Sequence, residues 1–266
     1  MKVCGIQADL VWEDRLANRR ALLPRIERAA RQGARLIALP EMWPSGFSMD
    51  TARVAEDENG PADQFLLETA GRLGVTLCGS HARKDRWWDR PRNVFTLATP
   101  DGRMLRYTKI HTFRYGSEHE YYDAGDEAAT WDIEGLQVTP LICYDLRFPE
   151  LFAAVAASTD LFLVVANWPD RRAAHWKALL VARAIECQCY VLGVNRVGAG
   201  GGLHYTGDSL LVSPLGKVLA SAPAGAEVDL IGQVDCEEVA RVREDFGFLA
   251  DRQPEVYRRI AKERQR

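Results

Sequence analysis

No stretch of the 266-residue chain is apolar for long enough to cross a membrane, and the N-terminus lacks the pattern of a signal peptide. Met1 runs straight into an apolar segment, so the expected compartment is the reducing cytoplasm and no membrane partner is expected. Basic blocks are missing too. Lys and Arg number 34 against 37 Asp and Glu, a formal net charge of −3, which argues against a nucleic-acid partner. Cysteine is scarce and scattered: Cys4, Cys78, Cys143, Cys187, Cys189 and Cys236. A chain of this length does not need disulfide staples. Cys187-Gln-Cys189 lies in a helix-like stretch without a second ligand pair at zinc spacing. It reads as core and surface thiols, and no metal site is expected. Internal repeats and low-complexity segments are absent. No Gly-x-Gly-x-x-Gly follows the first strand, and Gly198-Ala-Gly-Gly-Gly202 opens no helix, so it reads as a flexible loop.

What is present suits a large core. The chain is 47% hydrophobic and shows no linker, which points to one domain over residues 1–266 with 236–266 as a C-terminal tail. Lys2 to Ala8 reads as a strand. Asp14 to Gln32 reads as a helix, with Leu16, Leu22, Leu23, Ile26 and Ala30 at helical spacing and Gly33 closing it. A buried strand, Arg35 to Leu39, ends at Pro40. A helix from Pro61 to Leu73 precedes strands at Val75–His81, Arg92–Ala98 and Met104–Thr108. After a long charged and aromatic loop, Lys109 to Asp126, come a hairpin (Trp131–Ile133, Leu136–Ile142) and a helix over Glu150–Ala157. A strand over Leu161–Ala166, a helix over Arg171–Cys187 and a strand over Cys189–Asn195 follow. Tyr205–Ser213 pairs with Lys217–Ser221, and Val228–Val234 is a last core strand. In the tail, Phe246, Phe248 and Leu249 form an apolar cluster suited to docking on the body or a second subunit. Strands alternating with helices, with hairpins between, predict an α/β layered sandwich.

Val138 to Glu150 is the most informative stretch: an apolar strand stops at Cys143, and Asp145, Arg147 and Glu150 follow before a helix begins near Pro149. Isolated cysteines are usually inert core residues. Two further polar residues, however, stand just past the ends of apolar strands: Glu41 after Leu-Ile-Ala-Leu-Pro, and Lys109 after Met-Leu-Arg-Tyr-Thr. Strand ends are where layered α/β proteins build sites. A carboxylate can deprotonate a thiol, and a cation can stabilise an oxyanion.

Leu39-Pro-Glu-Met42, Lys109-Ile-His111 and Cys143-Tyr-Asp-Leu-Arg-Phe-Pro-Glu150 resemble, in order and spacing, the three catalytic segments of the nitrilase superfamily of carbon–nitrogen hydrolases. Ala166-Asn-Trp-Pro169, His175-Trp176, Arg183-Ala-Ile-Glu186, Asn195-Arg-Val197 and Gly207-Asp-Ser209 resemble its ω-amidase branch and the Nit-like relatives. The resemblance implies a four-layer α-β-β-α sandwich that dimerises through helices on one face, so a homodimer is expected. It implies Glu41, Lys109 and Cys143 as base, oxyanion stabiliser and nucleophile. A further family acid maps to Glu118, with Glu120 as the neighbouring alternative.

The expected chemistry needs no metal or organic cofactor. Cys143 forms a thioester with the acyl group of a small dicarboxylic acid mono-amide such as 2-oxoglutaramate or 2-oxosuccinamate. Lys109 and the backbone N–H of Tyr144 hold the oxyanion, and Glu41 carries protons to ammonia and from water. Phe47, Tyr115 and Trp168 are candidate lining residues. Arg114, Arg171, Arg172 and Arg196 are candidates for gripping a substrate carboxylate, with Arg196 favoured. Arg147 is expected to bridge carboxylates at the strand-to-helix turn, His111 to support its loop and His175 to pack its helix. Hydrolysis of deaminated glutathione is the alternative within amidases, and a thiol redox or binding protein the alternative of another class.

Overall fold

Apolar strands alternate with helices through the first half of the chain in the computed structural model, which describes residues 1–263. β1 (Lys2–Gln7) leads to α1 (Arg15–Arg31), whose start is set by Asp14 accepting the Ala17 N–H at 2.9 Å. Next come β2 (Leu36–Ala38), α2 (Thr51–Val54) and α3 (Pro61–Leu73). Pro61 occupies the first turn of α3, and Gly74, at φ +65°, closes it. β3 (Thr76–Arg83), β4 (Arg92–Ala98) and β5 (Met104–Thr108) form a meander. α4 (Glu118–Tyr121) sits within the long loop. The second half runs β6 (Trp131–Ile133), β7 (Leu136–Ile142), α5 (Pro149–Val155), β8 (Leu161–Ala166), α6 (Ala173–Cys187), β9 (Tyr190–Asn195), β10 (Val197–Gly200), β11 (Leu203–Thr206), β12 (Leu210–Val212), β13 (Val218–Ser221), β14 (Val228–Gln233), α7 (Cys236–Asp245) and α8 (Pro254–Glu263).

Two six-stranded sheets result, ordered β14-β1-β2-β3-β4-β5 and β13-β12-β9-β8-β7-β6. Read from β14 and from β6, both show the same pairing sequence: antiparallel, parallel, parallel, antiparallel, antiparallel. This internal likeness of topology leaves no trace as a sequence repeat. Successive residues of β1 split between two cores, as the period of two requires. Cys4 and Ile6 pack under Leu22, Ile26 and Ala29 of α1, while Val3 faces inward with Leu36, Ala38 and the strands of the second sheet. The sheets approach closely at Gly5, where a Cβ would stand 2.7 Å from a methyl of Val194. α5 and α6 cover the outer face of the second sheet. The order is helix, sheet, sheet, helix: the four-layer α-β-β-α sandwich.

Three readings are corrected. The strand expected over Tyr205–Ser213 is broken at Gly207 (φ +77°) and Asp208 (φ +57°), where the chain leaves β11 and enters the second sheet as β12. Gly198–Gly202 is not a loop but β10 and its turn, paired with β11 in a two-stranded ribbon. Cys187 and Cys189 are both buried. The tail docks on its own body. Arg243 donates to the carbonyls of Ala156 (2.9 Å) and Thr159 (2.6 Å), Gln188 donates to the Phe246 carbonyl (2.6 Å), and Leu249 packs on the core while Phe246 stays exposed. Residues 264–266 of the expected tail lie outside the described residues.

Candidate active site

The ends of β2, β5 and β7 converge and bring Glu41, Lys109 and Cys143 together with Glu118, the first residue of α4. Glu41, Lys109 and Glu118 are at most 1% exposed. The Lys109 ammonium donates to Glu41 Oε1 at 2.9 Å and to the two Glu118 oxygens at 3.0 and 2.9 Å. Glu120 lies on the exposed side of the same short helix, so burial separates the two acids that sequence spacing left open. Glu41 has further donors: the Asn93 amide at 2.8 Å on Oε1 and the Asn167 backbone N–H at 2.8 Å on Oε2. Burial opposes charge on Lys109, but Glu118 and Glu41 outweigh it and hold the ammonium above its ordinary range. Burial also lifts the Glu118 carboxyl, against the pull of Lys109. The Cys143 thiol is pushed well up by burial and then by the Glu41 carboxylate, with Lys109 opposing. It rests as a thiol and needs a base.

Backbone strain marks both sides of this pair. Met42, next to Glu41, has φ +44°, and Cys143 itself has φ +45°. Asp145 holds the turn that presents Cys143. Fully buried, it accepts the Ile142 N–H at 3.0 Å, the His111 N–H at 2.9 Å and the Tyr107 hydroxyl at 2.8 Å. The His111 ring meets the same carboxylate at 2.9 Å and stacks on Phe148. Asp145 and His111 thus tie the cysteine turn to the lysine loop. Tyr144 follows in the same turn, where backbone N–H groups lack helical partners.

Cys143 and Lys109 open into a cavity of about 370 Å³ that Phe47, Tyr115, Tyr144 and Trp168 also line. Lys109 Nζ stands 5.1 Å from the centre of the Phe47 ring. Arg147, Arg171 and Arg172 line the cavity as well. Arg147 does not bridge carboxylates as expected; its guanidinium carbon stands over the Trp168 ring, 4.6 Å from the centroid. Among the described residues, none of these three arginines pairs with a carboxylate. Arg172 has its guanidinium lowered by burial and then by Arg171 and Arg147. His175 is exposed and meets Arg147 at 3.4 Å rather than packing its helix.

Arg196 is a correction. It does not line the cavity. Its fully buried guanidinium donates through Nε to the Val197 carbonyl (3.0 Å) and through Nη2 to the carbonyls of Leu10 (2.8 Å) and Ala199 (3.0 Å) and to Asp9 (3.0 Å), while Nη1 is buried without a partner. Arg114 is exposed and outside the lining. The segments flagged only by resemblance divide: Asn167, Trp168 and Pro169 line the cavity, while Asn195 supports it from behind. Asn195 accepts the Trp168 N–H at 2.8 Å and donates to the carbonyls of Trp168 (3.0 Å) and Gly207 (2.8 Å), fixing one wall. Sequence reasoning missed Asn93, Trp12 and the place of Arg147. Asn93 left a faint signal, as an amide in the β4 strand Arg92–Ala98, which also carries Arg92 and Thr96.

This fold and this site define a class of amide-bond chemistry, and the chain belongs to the carbon–nitrogen hydrolase family, whose model matches residues 2–244. It is similar to the protein named omega-amidase YafV of Yersinia enterocolitica, at 40% identity over 94% of this chain and 96% of that one. Similarity to the 2-oxoglutaramate amidase of Bacillus subtilis is 33%, over 84% and 87%. Its backbone is similar to the crystal structure of XC1258 from Xanthomonas campestris, a CN-hydrolase superfamily protein with an arsenic adduct in the active site: TM-score 0.88, 36% identity, 95% of this chain and 97% of that one.

Proposed function

We propose that this protein is an ω-amidase, a hydrolase that cleaves the terminal amide of a small dicarboxylic acid mono-amide to the acid and ammonia. One observation carries the substrate class: a thiol-bearing cavity rimmed by three arginines that have no carboxylate partner among the described residues. Partly desolvated guanidinium groups without a counter-charge favour an anionic ligand, and a carboxylate matches their fork. The similarity to proteins named omega-amidase and 2-oxoglutaramate amidase supports the same reading. An α-keto mono-amide such as 2-oxoglutaramate or 2-oxosuccinamate is the substrate we infer.

Glu41 takes the Cys143 proton as sulfur attacks the amide carbon. Lys109 and the Tyr144 N–H receive the oxyanion. Because Lys109 is held protonated by Glu118 and Glu41, it serves as a fixed charge and not as a proton source. The C–N bond breaks as Glu41 returns the proton to the leaving nitrogen, leaving a thioester on Cys143. Glu41 then deprotonates water, which attacks the thioester carbon. The C–S bond breaks, sulfur recovers a proton from Glu41, and the acid leaves. Glu118 keeps Lys109 in place by accepting from it with both oxygens.

The test compares ammonia release from 2-oxoglutaramate, its methyl ester, glutamine, a simple aliphatic amide and an aliphatic nitrile at equal concentration. The free acid should be best, with the ester about a hundredfold lower in kcat/KM. If the nitrile or the neutral amide is the best substrate, the ω-amidase reading is wrong.

The thiol redox reading has little support. All six cysteines are free, and Cys143 alone among them lines the cavity, so no resolving thiol is at hand. Six free thiols also favour the reducing cytoplasm. Among the described residues no helix is long and apolar enough to cross a membrane. Residues 1–266 we take as one domain. A homodimer is supported by exposed apolar side chains where α6 meets the β12–β13 turn: Ile185 is 46% and Leu215 69% exposed. Sedimentation at low micromolar concentration should give twice the chain mass, and Ile185→Glu should lower it; a monomer throughout would exclude the dimer.

A further inference from the structure

Trp12 has no part in the chemistry above, yet it lines the same cavity as Cys143 and Arg172. It sits in the loop between β1 and α1. Its indole lies against bare backbone on two sides. A Cβ on Gly46 would stand 3.1 Å from the ring, on Gly200 2.9 Å and on Gly201 2.6 Å. A larger residue at Gly200 or Gly201 would collide with the indole, and one at Gly46 would crowd it. Gly201 takes φ +57° as well, so glycine suits it twice over. These glycines come from the loop after β2, from the end of β10 and from the β10–β11 turn.

The loop around Trp12 is locked on both sides. Asn18 accepts the Val11 N–H at 2.7 Å and donates to the Val11 and Pro44 carbonyls, both at 2.8 Å. The Glu13 N–H donates to the Ser45 carbonyl at 2.8 Å. Arg196 joins the Leu10 carbonyl to the Ala199 carbonyl and so clamps the Trp12 loop to the ribbon that bears Gly200 and Gly201. A wall seated this firmly does not yield to a longer ligand, and side chains fixed before binding discriminate by shape.

We propose that Trp12 is the end wall that sets the length of acyl chain the cavity accepts, with Gly46, Gly200 and Gly201 as its seat and Arg196 as the clamp. For the ω-mono-amides the proposal rests on the function proposed above. A methylene that fits or fails to fit a closed apolar wall is worth about 10–200-fold in kcat/KM.

The experiment measures kcat/KM for the wild-type chain, Trp12→Phe and Trp12→Ala on two homologous series of rising chain length: mono-amides of dicarboxylic acids and unsubstituted aliphatic amides. The ratio of longest to shortest substrate is the readout, because it cancels any general loss of active protein. Trp12→Ala should raise this ratio at least tenfold, and Trp12→Phe should lie between. In parallel, alkylation of Cys143 by iodoacetamides with lengthening N-alkyl chains, read by intact mass, reports the room in front of the thiol without turnover. If the chain prefers neutral amides, the ω-amidase reading fails while the aliphatic series still reads the wall. If no amide is hydrolysed, the alkylation series reads it. Length ratios unchanged by both substitutions would overturn the proposal.

Discussion

At Cys143 a thiol that resists ionisation is set beside a carboxylate able to receive its proton. Asn93, Asn167 and Lys109 donate to that carboxylate, and Lys109 is shared with both oxygens of Glu118. Cys143→Ala removes only the sulfur, so turnover should fall below about a thousandth of wild type with an unchanged far-ultraviolet spectrum; retained ammonia release would exclude Cys143 as nucleophile. Arg172 is the arginine whose charge is disfavoured by burial and by two like neighbours, and a bound carboxylate relieves both. Arg172→Leu should lower kcat/KM for the free-acid amide about a hundredfold and leave a neutral aliphatic amide within a few-fold. Equal losses on both substrates would assign Arg172 to packing.

The elements that place these residues were legible to very different degrees. Glu41 and Cys143 announce themselves because each is the first charged or reactive group after an apolar run, whereas Lys109 follows a strand that already carries Arg106 and stands out by the likeness of its segment to the family's. Arg147 misled because a guanidinium between two acidic residues suggests ion pairing, whereas the fold turns it onto the face of Trp168. Trp12 and Asn93 act through partners far along the chain, Gly201 and Glu41, which no local pattern reveals. The break at Gly207 was hidden because strand propensity continues through Tyr205 and Leu210, while the turn between them answers to Gln7 of β1. Asp145 is the residue on which the cysteine turn depends most. Asp145→Ala leaves the Ile142 N–H, the His111 N–H and the Tyr107 hydroxyl without their acceptor. At about 1–3 kcal/mol per buried orphan, unfolding in urea should show a loss of about 3 kcal/mol or more. A loss under about 1 kcal/mol would mean that water replaces the carboxylate.

Across the whole molecule, buried thiols make the fold sensitive to alkali. Burial, assisted by Asp229, pushes Cys4 up to about 12; burial, assisted by Glu186, does the same for Cys187. Burial raises Cys78 as well. The folded state therefore keeps protons that the unfolded chain releases near pH 9. Each group contributes stability that is whole below about pH 9 and is lost as pH rises through its folded value, at about 1.4 kcal/mol per pH unit. Unfolding free energy should fall steeply between about pH 9 and 12, and Cys187→Ala should reduce the slope by about one proton. A level profile over that window would contradict the burial of these thiols. The central claim concerns the intact molecule in another way: it must carry its substrate's acyl group as a thioester on Cys143. The most direct measurement is the intact mass of enzyme quenched in acid during turnover of 2-oxoglutaramate, followed by peptide mapping. The account predicts a mass gain equal to substrate less ammonia, confined to the peptide containing Cys143, lost on treatment with hydroxylamine and absent from Cys143→Ala. Steady ammonia release with the acyl group on another residue, or undiminished in Cys143→Ala, would contradict it.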